Sequence, residues 1–513
     1  MNDKKARPPL AIWLVAALAV LLALIPFGYL LVRVFGAGFE SFLEILEETR
    51  TLELMTSSLL LALAVSVSAM LIGTFQAWIA VRSNLPGRKV FAVLAALPLA
   101  IPSYVAAYSW LAVFPYLSGF FAAWLILTMG TAPLVYLSVS AALARFDSAT
   151  EEVASSLGAG KFAVLRKVTW PNIKGAAYSG GLLSALYVLS DFGAVSIVRY
   201  DTFTRAIYNA YRASFDRNLA ATLALILVAV TVLVLVIESK SQRDKPIGTV
   251  IANRLNRIDL QNYKTPLVAL LAGIASVGLV VPMASLIRWS IIGLPETDWA
   301  QVLDALFSSF YLSISGGLLT AMLGVALAIV VVRFRTPFSK LLERSVWLTH
   351  ATPGIVVALS LVFFSNQVAP WIYQSLFLVL IAYVALFLPN ALSAISTPLR
   401  QSPISLDEVS ASLGLTKFQT LRRVVLPIAG PGIFAATTLV ILTVLKELPA
   451  TLLLRPTGVE TLATRLWTET GVAAFSTAAP YALLLVLLAG IPAWLLNRAI
   501  RKDLEPINDL ERV

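Results

Sequence analysis

FDSATEEVASSLGAGKFAVLRKVTWPNIK, residues 146–174, is polar, charged and helix-forming, and it sits between long apolar runs. It occurs twice. Glu152, Gly158, Lys161, Phe162, Leu165, Arg166, Val168 and Pro171 recur as Glu408, Gly414, Lys417, Phe418, Leu421, Arg422, Val424 and Pro427, each 256 positions later. Eight matches at one gapless offset mark a duplicated chain, with this loop (146–174 and 402–430) as its best-kept part.

Working outward, the rest is strongly apolar. Of 513 residues, 58% are hydrophobic and 13% charged, more apolar surface than one soluble core can hide. A bilayer supplies that solvent, at about 20 apolar residues per span. The absence of cysteine excludes disulfides and thiolate metal sites, and a single histidine excludes a His-built metal or haem site. No stable metal site is expected. The formal charge of +11 reads as membrane topology rather than nucleic-acid binding.

Apolar runs predict spans over 10–32, 54–81, a third ending near 114 and broken by Pro98 and Pro102, then 117–143, 176–198 and a sixth ending near 237. The first is longer than the signal-peptide core of about 7–15 residues, so an uncleaved span is expected. A basic linker, 239–264, separates the repeat 1–238 from the repeat 265–513, whose spans fall near 265–288, 306–332, 344–365, 372–397, 433–454 and 476–498. Early in the halves the offset is 251, pairing Arg82 with Arg333, Pro86 with Pro337 and Pro102 with Pro353; later Thr204-Arg205 pairs with Thr464-Arg465 at 260. The expected architecture is all-α, about 12 spans in two parallel six-helix repeats related by an axis along the membrane normal. Lys/Arg clusters at 82–89, 145–174, the linker, 333–344, 400–423 and the C-terminal tail fall on one side, which places both termini in the cytoplasm. The basic segment Arg199 to Arg217 dissents and falls outside.

Each loop copy divides at a glycine. Val153 and Leu157, or Val409 and Leu413, lie one turn apart before it; Phe162, Leu165 and Val168, or Phe418, Leu421 and Val424, form a second apolar stripe after it. Gly158 and Gly414 suit the turn between two short helices. Pro171 and Pro427 end the second helix or set it into the next span. Ser148 with Glu151 and Ser405 with Glu408 have capping-box spacing. The product is a helix–turn–helix with an apolar side that a partner should cover; the plain alternative is packing on the protein's own membrane ends.

Glu-x-x-x-x-x-Gly, nine further residues, then an aliphatic residue, one more, and x-Pro resembles the coupling-loop signature of ABC-importer permeases. Both copies fit (Glu152, Gly158, Val168, Pro171; Glu408, Gly414, Val424, Pro427), with Val153 and Val409 standing where that family usually has alanine. The resemblance spans both halves. It implies a type I ABC-importer permease fold in a bacterial inner membrane, two copies of an ABC ATPase at the loops, and a periplasmic substrate-binding protein. It implies coupling roles for Glu152, Gly158, Pro171, Glu408, Gly414 and Pro427. The chain itself lacks a phosphate loop: Gly160-Lys161 is followed by Phe162 and the earlier glycine is missing. ATP and Mg are therefore expected on the partner subunits, with no cofactor and no catalytic residue here.

Asp191 and Glu447 occupy matching places in the fifth and eleventh spans, with Arg199 and Arg455 eight residues beyond each. Intramembrane charge is costly, so both are candidates for the translocation path; the alternative is local pairing that fixes packing. The surrounding SDFGAVS and KELPATLLLRP look like the fused ferric-iron permeases, although thiamine and phosphonate permeases are also fused. Carboxylates and tyrosines suit a hard Fe³⁺ cargo. Arg199, Arg205, Arg455 and Arg465 make an outer basic face suited to acidic lobes of a binding protein, or to lipid headgroups. Trp110, Trp371 and Trp494 fit an interfacial belt, His350 a hydrogen bond to a neighbour, and Ser179-Gly180-Gly181 and Ser315-Gly316-Gly317 helix packing. A twelve-span secondary transporter and a signalling scaffold are the rival classes; association with an ATPase separates them from an importer.

Overall fold

The structure, a computed structural model, describes residues 9–145, 149–242, 258–334, 336–350, 352–403 and 405–504; for 161, 238–242, 405, 407–408, 417 and 491–504 it describes the main chain alone. Among the described residues the only β pairing is a single bridge between Ser83 and Ile258. Eight helices are long and apolar enough to cross a bilayer: Leu10–Gly36, Thr49–Arg82, Gly119–Ala144, Arg217–Ile237, Gln261–Glu296, Trp299–Arg333, Leu376–Gln401 and Phe418–Leu445. Two bent pairs bring the spans to ten, Arg88–Ala100 with Ser103–Val113 at 98° and Pro337–His350 with Gly354–Val368 at 107°. Two expected spans remain. Trp170–Ser190 carries Asn172 and Lys174 in its first turn and is rich in Gly, Ser and Tyr, which lowers its hydropathy. Phe475–Leu504 is apolar over Phe475–Gly490.

The bends have a local cause. Pro102 and Pro353 adopt extended ψ of 145° and 146° immediately before Ser103–Val113 and Gly354–Val368. Proline lacks the N–H that would continue the preceding ladder, and it drives the residue before it out of the helical region; Ile101 has ψ 118°. Three other prolines act differently. Leu165–Thr169, Ser276–Val280 and Leu421–Val425 are single π turns, and each is followed two residues later by a proline, Pro171, Pro282 or Pro427. Widening by one residue relieves the clash of the ring with the carbonyl four residues back. Of the two roles expected for Pro171 and Pro427, the structure has the second, feeding the loop into the following span.

The chain forms two compact units, and each draws on both sequence repeats. One comprises Met1–Glu48, Ile207–Val228 and Asp298–Thr468; the other comprises Thr49–Ala206, Ala229–Thr297 and Glu469–Val513. In the first unit the N-terminal span packs on second-repeat helices, with Trp13 stacked on Phe338 at 5.0 Å and Tyr29 edge-on to Phe364 at 5.8 Å. In the second unit the seventh span returns the arrangement: Ser285 Oγ donates to Ser109 O at 2.9 Å and Trp289 Nε1 to Ala112 O at 3.3 Å. The sequence repeat and the compact unit are thus different divisions of one chain, because spans at the edge of each half pack on the middle spans of the other.

Small residues set the helix spacing inside each unit. A Cβ on Gly180 would sit 2.7 Å from Val135 Cα, and one on Gly181 2.5 Å from Met70 Sδ. The second-repeat pair behaves alike: a Cβ on Gly316 would sit 2.8 Å from the Tyr383 ring and one on Gly317 2.4 Å from Ile441 Cγ1. These are the close helix approaches expected of the two Ser-Gly-Gly stretches.

Candidate functional site

The first loop begins with the helix Ala149–Ser156 and the second with Ser405–Ser412. Each ends on a left-handed glycine, Gly158 at φ +86° and Gly414 at φ +79°. The turns close the same way, Ala159 N–H on Ala154 O at 3.1 Å and Leu415 N–H on Ser410 O at 3.1 Å, six-to-one bonds of a Schellman ending. Lys161–Val164 and Lys417–Thr420 follow, then the π turns. Across each turn most of the apolar stripe is bare, with Val168, Leu421 and Val424 half-buried. Leu157 is 82% exposed and Leu413 76%, and Val153, Phe162, Val409 and Phe418 are all exposed. Glu152 is exposed on the same helix. Gly158 and Gly414 have open space around them, so conformation, not crowding, selects glycine there. Ser148 and the side chains of Ser405 and Glu408 lie outside the described residues, and the two capping boxes with them.

Both candidate path acids stand at a break, not inside a continuous helix. The fifth-span helix ends at Ser190 and a short helix, Gly193–Ile197, follows; the eleventh ends at Leu445 and Pro449–Leu454 follows. The continuous runs 176–198 and 433–454 expected from hydropathy are therefore corrected. Asp191 Oδ1 accepts from Ala194 N–H at 2.9 Å and Val195 N–H at 3.3 Å, and Glu447 Oε1 accepts from Ala450 N–H at 2.9 Å. Each carboxylate caps the short helix after it. Their carbonyls are also used, by Thr204 Oγ1 at 2.6 Å and Thr451 Oγ1 at 3.1 Å. Ser103, first residue of its half-span, lies beside both Asp191 and Tyr187. A cleft of about 20 Å³ opens beside Ser103 and Tyr187, with Trp110, Met129 and Pro282 among its walls, room for a water molecule and little more. Among the described residues no three His, Asp or Glu side chains are gathered where they would hold a metal ion.

The outer arginines differ among themselves. Arg199 is exposed with φ +57°. Arg205 is bonded to Asp201, which also takes Arg50 Nη2 at 2.5 Å. Burial, and then the neighbouring Arg199 and Arg50, lower the Arg205 pKa from its ordinary value. Arg455 pairs with Glu460 at 2.5 Å and donates to Val459 O at 2.6 Å. Arg465 is half-buried, and its Nε has no hydrogen-bond partner. Trp371 is exposed as an interfacial residue should be, but Trp110 is buried against Phe114 at 5.8 Å and belongs to the core. The Trp494 side chain lies outside the described residues. His350 is exposed at the end of its half-span, where its ring meets Trp347 edge-on at 5.7 Å.

Sequence reasoning passed over one cluster. Arg82 ends the second span with 1% of its side chain exposed, and its guanidinium is bonded to Glu151 of the first loop helix. Thr169 Oγ1, in the π turn, donates to the other Glu151 oxygen at 2.5 Å. The signal was present, since Arg333 stands 251 residues after Arg82 and Asp407 stands 256 after Glu151. In the sequence Arg82 reads only as a repeat match to Arg333 and as one of the basic residues of 82–89.

Comparison with known proteins bears on all of this. The family model described as "binding-protein-dependent transport system inner membrane component" matches residues 69–239 and 317–502. An Fe(3+)-transport system permease protein of Haemophilus influenzae is 36% identical over 499 residues, 96% of this chain and 99% of that protein. A sulfate transport system permease protein of Escherichia coli is 28% identical over 191 residues, 34% of this chain and 65% of its own. A putative 2-aminoethylphosphonate transport system permease protein of Salmonella typhimurium is 28% identical over 173 residues, 34% of this chain and 62% of its own.

Proposed function

Because the chain belongs to the family of inner-membrane components of binding-protein-dependent transport systems, we propose that it forms the translocation path for ferric iron in an ATP-driven importer. The observation that carries the cargo is the match, along nearly the whole chain, to a permease named for Fe(3+) transport. The sulfate and phosphonate relatives match only about a third of the chain. The protein is a multi-pass membrane transport component rather than an enzyme, working with an ATPase and a periplasmic binding protein.

Two copies of the ATPase dock on the two loops in this reading, one on 146–174 and one on 402–430. The bare stripes at Leu157 and Leu413 support it, because apolar side chains this exposed at a membrane surface are costly until a partner covers them. Glu152 and Glu408 carry the coupling to the ATPase, while Gly158, Gly414, Pro171 and Pro427 fix the turn and its connection to the next span. ATP and Mg belong to the ATPase, and this chain binds no cofactor. Both termini lie in the cytoplasm. Arg199, Arg205, Arg455 and Arg465 receive the binding protein outside, with Asp201 and Glu460 holding two of them in place until it arrives. Asp191 and Glu447 serve the path as hard oxygen groups at helix breaks, the kind of place where transporters put ion contacts.

The test is ATPase activity of the chain reconstituted with candidate ATPase and binding-protein subunits, with and without Fe³⁺. Iron-dependent stimulation that disappears in Gly158→Val or Gly414→Val supports coupling and cargo together. Coupled activity that ignores iron and answers thiamine or a phosphonate keeps the importer and discards the cargo. Failure to associate with any ATPase sinks the loop assignment.

A further inference from the structure

We propose that Arg82, Glu151 and Thr169 form the joint through which movement of the first cytoplasmic loop reaches the second and fifth spans. Three elements converge on one carboxylate. Glu151 belongs to the loop helix Ala149–Ser156, Arg82 is the last residue of the second-span helix Thr49–Arg82, and Thr169 lies in the π turn that leads into Trp170–Ser190. Glu151 Oε2 takes the Arg82 guanidinium and Oε1 takes the Thr169 hydroxyl at 2.5 Å. Arg82 is 1% exposed and Thr169 is buried, so solvent screens this pair far less than a surface ion pair.

The main chain at the same point is also fixed. Ile258 N–H donates to Arg82 O at 2.8 Å and Asn84 N–H to Ile258 O at 3.2 Å. Leu260 packs with Ile79, Leu85 and Leu271 beneath that bridge. The end of the second span is thereby anchored through its main chain to the inter-repeat linker and through its side chain to the loop. A loop displaced by a partner cannot slide past such an anchor without breaking the Arg82–Glu151 pair, so it carries the helix end with it.

The second repeat carries a different version. Arg333 Nη2 reaches Ser402 Oγ at 3.3 Å, and Val425 occupies the place of Thr169, so no hydroxyl is available there. The hydroxyl arm of the joint belongs to the first loop alone.

This inference rests on the reading that the loop docks on an ATPase, so its test has one arm that does not need the ATPase. The chain has no cysteine, so Ser156→Cys and Val90→Cys give a clean spin-label pair reporting the loop helix against the segment after the second span. In the full-length permease alone, Glu151→Gln is expected to broaden that distance distribution, and the charge exchange Arg82→Glu with Glu151→Arg to narrow it again. In the reconstituted transporter, Glu151→Gln is expected to lower substrate moved per ATP by between about twofold and about thirtyfold, the range such networks carry. Glu151→Gln takes the carboxylate away from the buried Arg82 guanidinium and is expected to lower the melting temperature as well; the charge exchange, which restores the pair, and Thr169→Val, which keeps it, separate lost coupling from lost stability. Should Arg82→Glu fail to fold, Glu151→Gln and Thr169→Val carry the test. Unchanged label distances and unchanged transport per ATP in Glu151→Gln would overturn the joint. A wild-type transporter that shows no coupling overturns the docking reading instead, while the label distances still decide the joint.

Discussion

A β-carbon placed on Gly354 would come within 2.9 Å of Glu447 Oε1. Gly354 stands 251 residues after Ser103, and Glu447 stands 256 after Asp191. In the first repeat a short acid meets a serine at the start of the half-span; in the second a longer acid meets a glycine. The extra methylene of glutamate fills the space that serine fills elsewhere, and both carboxylates still cap the helix that follows. Gly354→Ala should therefore lower stability by about 1–3 kcal/mol through overpacking. Gly354→Ser combined with Glu447→Asp rebuilds the first repeat's pair and should recover most of it. Thermal unfolding of the three variants in detergent checks this, and a double variant no better than Gly354→Ala would refute the compensation.

Leu157 and Leu413 make contrasting demands on stability and assembly. Being exposed, each should accept serine with less than about 0.5 kcal/mol change in the isolated permease. If a partner buries them, the same change should weaken its binding by more than about 1 kcal/mol each, roughly fivefold in affinity. Titration of the permease with the ATPase measures this. Equal affinity for wild type and the Leu157→Ser, Leu413→Ser double variant would mean that the stripe faces something else.

How far the sequence reaches depends on whether a signal is local. The loop was legible because its helices, its glycine turn and its apolar stripe are set by neighbours in the chain, and duplication showed the pattern twice. The broken third and ninth spans were half-legible: Pro98 and Pro102 announce an interruption, but the bends of 98° and 107° depend on packing. The breaks at Asp191 and Glu447 were hidden because apolar residues resume beyond each of them, and a carboxylate that satisfies backbone N–H groups looks identical in sequence to one inside a helix. The exchange of spans between repeats was not legible at all. Apolar helices of similar length carry no label for the bundle they join. Trp110 misled for the same reason, since a tryptophan near a span end is interfacial only if it faces outward.

Asp259 ties the linker to the end of the second span. Its carboxylate accepts from Asn84 Nδ2 at 2.6 Å and pairs with Lys264 at 3.3 Å. The Asn84 amide first, then the Gln261 N–H and Lys264, hold its pKa below the ordinary 3.8. An acid with a lowered folded value contributes its stability above the ordinary value and loses it as pH falls through the folded one. The junction should therefore be insensitive to pH between about 5 and 8, well above the acid's titration range. Asp259→Asn should instead loosen it at every pH in that window. Hydrogen exchange at the Ile258 and Leu260 amides, both bonded to this turn, measures the effect. Faster exchange in wild type at pH 5 than at pH 8, after correction for intrinsic rates, would contradict the assignment.

Gly317 and Ile441 meet where two spans of one unit cross, and a Cβ on Gly317 would lie 2.4 Å from Ile441 Cγ1. Ile441 N is also only 3.3 Å from that position, so moving the isoleucine side chain relieves most of the clash but not all of it. Gly317→Ala should cost about 1–3 kcal/mol, the usual penalty for overfilling a packed contact. Ile441→Val retains Cγ1 as a branch and should rescue little, whereas Ile441→Ala removes the clashing atom and should restore part of the loss despite the cavity it opens. Two changes in direct contact are not expected to add. Melting temperatures for the singles and doubles give the coupling directly. A strictly additive Gly317→Ala, Ile441→Ala pair would show that the helices simply move apart, and that this glycine does not set their spacing.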